Sequence, residues 1–132
     1  VVAATARCTG PTLCVAVNYG GRAEIADAAK AIATAVAEGR LQPSQIGEDT
    51  IASRLYAPDL PDPDLLIRSA GERRISNFLL WQISYAEIHV THVLWPVFDA
   101  SRLHAAIRDF AARSRRFGGL DESDSAGGFT GA

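Results

Sequence analysis

The sequence predicts an α/β fold, a parallel sheet with helices on both faces. Three observations carry that expectation. The apolar runs Leu13–Val17 and Leu65–Ile67 are short and continuous rather than alternating, the pattern of strands buried on both faces of a parallel sheet, and Ala86–Val90 reads as another short strand. Helical periodicity fills the stretches between and after them, most clearly over Arg22–Glu38. The resulting order, β-α-α-β-α-β-α, joins parallel strands by helical crossovers.

Taken in order, Val1–Thr9 is alanine-rich and reads as the tail of a helix whose start is missing, as in a truncated chain. Leu13–Val17 ends at Asn18-Tyr19-Gly20-Gly21, a turn with enough glycine to let backbone pass close to another group. In the helix that follows, Ile25, Ala29, Ile32 and Val36 share one face, and Gly39 is the expected stop. A shorter helix starts near Glu48 with Ile51 and Leu55 inward. Pro58, Pro61 and Pro63 force an extended connection, and Asp59, Asp62 and Asp64 between them serve turns and caps. The strand Leu65–Ile67 runs into Arg68, and Asn77–Gln82 reads as a helix capped near Ser76. Beyond the strand Ala86–Val90, Asp99 or Ser101 caps a last helix with Leu103, Ile107 and Phe110 on one face. Arg113, Arg115 and Arg116 close it, and Gly118 or Gly119 ends it. The Asp/Ser/Gly-rich residues 120–132 have nothing to bury and are expected to be disordered.

With 132 residues the chain can form one domain, and 48% hydrophobic and 21% charged residues are ordinary for a globular protein. A net charge of −2 supplies no broad basic field, so no nucleic-acid partner is expected and any anion site must be local. The apolar windows are too short for a membrane-spanning helix, and the N-terminus lacks the pattern of a signal peptide. Cys8 and Cys14 form no paired motif and read as reduced structural thiols, which points to the cytoplasm.

The candidate site lies at the end of the second strand. Arg68 leaves the strand, a small-residue turn follows (Ser69, Ala70, Gly71), and Glu72, Arg73 and Arg74 lead to Ser76. Open α/β sheets bind ligands beyond the carboxyl ends of their strands. A helix N-terminus offers free N–H groups there, and arginine offers a planar fork matched to phosphate oxygens. Arg68 and Arg74 approach from opposite ends of one loop, so both can converge on one phosphate or diphosphate. The competing reading is that they form solvated pairs with Glu72, Asp62 and Asp64. Glu87 opens an apolar strand, where a carboxylate must be paired with an arginine or bound to a metal. His89 and His92 have an odd spacing that puts them on opposite faces of a strand, which disfavours a shared metal. Trp81, Tyr85 and Trp95 read as core and interface residues.

The stretch Arg68-Ser-Ala-Gly-Glu-Arg-Arg74-Ile-Ser76-Asn-Phe-Leu-Leu-Trp-Gln, with Tyr85-Ala-Glu87 and Leu94-Trp-Pro after it, resembles the C-terminal signature of the cis-prenyltransferases, the undecaprenyl diphosphate synthase family. The resemblance extends upstream to Ala16-Val17-Asn18-Tyr19-Gly20-Gly21-Arg22 and covers residues 1–119, the C-terminal part of that domain. The family's catalytic aspartate loop belongs to its N-terminal half and is absent here, so no catalytic residue is assigned and the chain alone is expected to be inactive. The resemblance implies cis 1'-4 condensation of isopentenyl diphosphate onto an allylic diphosphate, with Mg2+ as cofactor. It matches Arg68, Arg74, Ile75 and Ser76 to the isopentenyl diphosphate site and Glu87 to a magnesium ligand. It leaves Arg73 facing solvent, and it matches Arg116 and Gly118, weakly, to a contact across a homodimer. Ser69-Ala70 departs from the family's usual Thr-Ser or Thr-Gly. A cytoplasmic enzyme, peripheral to the membrane that takes its lipid product, follows from the same resemblance. Its alternative is a non-catalytic partner subunit of a heteromeric cis-prenyltransferase.

Overall fold

The computed structural model describes residues 2–113. Helix α1 (Val2–Thr5) is followed by an extended segment, then by α2 (Gly21–Ala37), α3 (Glu48–Ala52), β1 (Leu65–Arg68), β2 (Glu87–Val90) and α4 (Ala100–Ala112). The two strands pair in parallel, Leu66 opposite Ile88 and Arg68 opposite Val90, so the chain has the α/β character expected of it. Alternation along the strands separates two faces. Leu65, Ile67, Glu87 and His89 point to one, and Leu66, Arg68, Ile88 and Val90 to the other.

Helix α4 packs on the first face. Asp99 caps it, its side chain accepting from the Arg102 backbone N–H. His89 Nδ1 lies 2.7 Å from Asp109, and Arg113 donates to Asp109 at 2.6 Å and to Glu87 at 2.9 Å. The bond with His89, and then that from Arg113, hold the Asp109 carboxyl below its ordinary value. Arg113 is in turn pushed upward, first by Glu87 and then by Asp109.

Helix α2 ends as its sequence requires. Gly39 sits at φ +70°, its N–H bonds to Val36 O, and the Arg40 N–H reaches back to Ala35 O, which closes a Schellman motif. Its inward face is rotated from the expected one. Gly21, Glu24, Ala28, Ile32 and Ala35 are buried, whereas Ile25, Ala29 and Val36 line an open apolar groove with Ile46 and Ile51. Glu24, only 1% exposed, lies on the buried side, and Ile32 is both buried and part of the groove wall. The Glu24 carboxylate accepts from the Tyr19 hydroxyl, from the Tyr56 backbone N–H at 2.9 Å and from Gln82 Nε2 at 3.2 Å. Burial, together with that carboxylate, raises the Tyr19 phenol well above its usual range. Leu55 is buried as expected, at the exit of α3.

Four expectations are corrected. Leu13–Val17 is extended but forms no strand: Leu13 is 87% exposed, and the segment makes no backbone hydrogen bond among the described residues. A strand needs a paired neighbour, and apolar character alone does not supply one. Residues 77–82 form a series of turns instead of a helix, because Ser76, Asn77 and Leu79 take positive φ values. On α4, Ala106 is the buried residue and Leu103 and Ile107 are exposed. Tyr85 and Trp95 lie on the surface, Trp95 stacked on Phe98. Arg115, Arg116, Gly118 and residues 120–132 lie outside the described residues.

Removing a buried carboxylate with three donors strands those donors, so Glu24→Ala is expected to cost about 3 kcal/mol, read as a lower urea midpoint with an unchanged slope. A depressed carboxyl contributes stability above its unfolded value that is lost as pH falls through the folded one. The Asp109 carboxyl should therefore titrate below its ordinary value of 3.8 in a carbon NMR titration; a midpoint at or above that value would mean that its bonds with His89 and Arg113 do not persist in solution.

Candidate functional site

The loop after β1 is pinned before it reaches its arginines. The Ala70 N–H bonds to Val93 O at 3.0 Å, the Gly71 N–H to Thr91 O at 2.8 Å, and the Thr91 N–H to Arg68 O at 2.9 Å. Ala70 and Gly71 both take positive φ, which turns the chain sharply back over the end of the sheet.

At its far end the loop is tied to α2. Asn77 O accepts from the Gly21 N–H at 2.8 Å and Asn77 Oδ1 from the Arg22 N–H at 2.9 Å, serving two of the free donors of that helix start. Asparagine suits the position because it tolerates its φ of +64° while offering a carbonyl oxygen. The approach also needs Gly21, where a Cβ would lie 2.9 Å from the Leu80 side chain and 3.0 Å from its backbone nitrogen.

Between the two ties, Arg68 and Arg74 converge as expected, on the carboxylate of Glu72: Arg68 bonds one oxygen and Arg74 the other. They border a cavity of about 260 Å³ whose lining includes Leu66, Arg73, Ile75, Ile88 and Val90. One end is cationic and the wall is apolar. Such a space suits an anion carrying a small hydrocarbon. The helix N-terminus expected to help at Ser76 does not form, so cationic attraction here comes from guanidinium groups.

The structure thus brings Arg68, Arg74 and Ile75 to one cavity. Arg73 is exposed but shares its rim, and Ser76 is exposed beside it in sequence. Glu87 is not brought to the cavity. It sits on the opposite face of the sheet, bound to Arg113. His92 lies beyond β2 against Gly71, and His89 pairs with Asp109. Two organising residues escaped the sequence reading. Glu24 had a signal, a carboxylate in register with Ala28 and Ile32 on an apolar stripe. Asn77 had none, since its role depends on a contact 55 residues away.

The family model for undecaprenyl diphosphate synthase matches residues 1–118. Over 109 residues the chain is 55% identical to "Isoprenyl transferase 2" of Bradyrhizobium diazoefficiens, covering 83% of this chain and 43% of that protein. Over 114 residues it is 56% identical to a ditrans,polycis-undecaprenyl-diphosphate synthase, (2E,6E)-farnesyl-diphosphate specific, of Xanthomonas campestris pv. campestris, covering 86% and 44%. Among solved structures, lavandulyl diphosphate synthase from Lavandula x intermedia, in complex with dimethylallyl diphosphate, superposes with a TM-score of 0.75 at 43% identity, over 77% of this chain and 44% of that one. The chain spans less than half the length of these relatives.

Asn77→Gly keeps the left-handed backbone and removes only the Oδ1 bond, an expected loss of about 1 kcal/mol in thermal unfolding. Asn77→Ala should lose a further 1 kcal/mol or so through strain at positive φ. Equal losses would show that the backbone there is not held left-handed.

Proposed function

The chain belongs to the undecaprenyl diphosphate synthase family, and we propose that it supplies the isopentenyl-diphosphate site of a cis-prenyltransferase. The observation that carries this is the convergence of Arg68 and Arg74 at the mouth of an apolar-walled cavity. The diphosphate would rest on the two guanidinium groups near Ser76, and the five-carbon chain against Leu66, Ile75, Ile88 and Val90. In the condensation, the terminal alkene carbon of isopentenyl diphosphate bonds to C1 of the allylic diphosphate. Diphosphate leaves from C1, and a proton is lost from C2 of the isopentenyl unit. The part played by this chain is placement, since fixed arginines lower the entropy cost of bringing the alkene to the allylic carbon. The undecaprenyl and lavandulyl synthases among its relatives support a diphosphate-linked isoprenoid as substrate.

Magnesium enters this reading through Glu87. A magnesium site draws on one or two carboxylates together with substrate phosphates. Among the described residues no three His, Cys, Asp or Glu side chains gather to hold a metal, and Glu87 is engaged by Arg113 away from the cavity. The arrangement as it stands does not fit the ion, and no step is routed through it. The same reading makes the protein a cytoplasmic homodimer working beside a membrane. Among the described residues no helix is long and apolar enough to cross one.

Arg68→Ala and Arg74→Ala, checked for folding by circular dichroism, should each weaken isopentenyl diphosphate binding roughly 10- to 100-fold in calorimetry. Unchanged affinity in both variants would overturn the proposal. Equal affinity of the wild type for isopentenyl diphosphate and plain pyrophosphate would demote it to a general anion site.

A further inference from the structure

Two guanidinium groups drawn to one place repel each other, and among the described residues neither bonds to the backbone. What holds them is the Glu72 carboxylate, each oxygen committed to a different arginine through a single terminal nitrogen. A guanidinium carries five N–H donors, so most of each fork remains for something else. On the Arg68 side one of those donors already stands out. Its Nε is buried and makes no hydrogen bond, so the clamp leaves that donor uncommitted. Three arginines less one glutamate still leave two positive charges at the cavity, enough to receive a diphosphate.

We infer that Glu72 is a positioning residue, a carboxylate clamp that sets the spacing of Arg68 and Arg74 and leaves their remaining terminal N–H donors for the diphosphate. The inference rests on the isopentenyl-diphosphate reading of the cavity. The clamp does not leave when ligand arrives. Its segment follows directly on a turn anchored to β2 through Ala70 and Gly71, so the carboxylate has little room to swing out.

The opposing possibility, a placeholder that ligand must displace, gives an effect of opposite sign, which makes the two separable. Calorimetric titration with isopentenyl diphosphate and with inorganic pyrophosphate would compare wild type, Glu72→Gln, Arg74→Ala and the double variant. The clamp predicts that Glu72→Gln weakens both ligands roughly tenfold, and that little further loss occurs once Arg74 is already alanine. In the assembled enzyme the KM for isopentenyl diphosphate should rise while kcat at saturation stays within about twofold, a split that general loss of structure would not give. Should Glu72→Gln misfold, Glu72→Asp keeps the charge and is expected to bind more weakly than wild type, because the shorter side chain cannot reach both arginines. Equal or tighter binding by Glu72→Gln, or the same loss in the Arg74→Ala background, overturns the clamp while leaving the cavity reading intact. A wild type that binds neither ligand overturns both.

Discussion

One buried carboxylate determines how the segments of this chain meet. A charge taken out of water costs several kcal/mol unless donors replace the lost hydration. Glu24 obtains those donors from three separate places, the turn before α2, the exit of α3 and the segment after the arginine loop. No single one of those contacts would justify burying the group. With them in place, α2 presents its small residues Ala28 and Ala35 to the packed side and its larger apolar residues to the groove. The buried side of the helix therefore carries a satisfied carboxylate as well as apolar residues.

The arginine loop inherits this arrangement. Its far end is tied to the start of α2 by Asn77, and its near end is tied to the exit of β2 by Ala70 and Gly71. A loop held at both ends loses little further freedom when it receives a ligand, which is the condition for arginines to bind rather than merely attract. The ion pairs with Glu72 then act at a scale the backbone cannot reach, the placement of individual nitrogen atoms. The two faces of the sheet also differ in what they carry: the arginine cavity lies on one, and the Glu87–Arg113–Asp109–His89 network docks α4 on the other.

Features governed by local chemistry were legible in the sequence. Gly39 after a periodic stretch, Asp99 before one, and a short apolar run ahead of Arg68 each state their structure within a few residues. The convergence of two arginines on one anion was legible too, although the anion in place is Glu72. What could not be read depends on distant partners. Residues 77–82 are composed like a helix, yet Asn77 is committed to the start of α2, and its left-handed backbone, with that of Ser76 and Leu79, breaks the helical path. The inward face of α2 includes Glu24, whose donors Tyr56 and Gln82 lie on distant segments. Leu13–Val17 has the composition of a strand without the adjacent hydrogen-bonding edge that would make it one.

That last segment has a consequence for the chain as a material. Five successive apolar residues, three of them Val or Leu, lie extended with their backbone N–H and C=O groups unpaired among the described residues. Such a run is a template for intermolecular strand addition, and it carries no charge, proline or bulge of the kind that guards natural sheet edges. Pairing of this stretch with another strand would satisfy those groups, and it would do so without touching the arginine site.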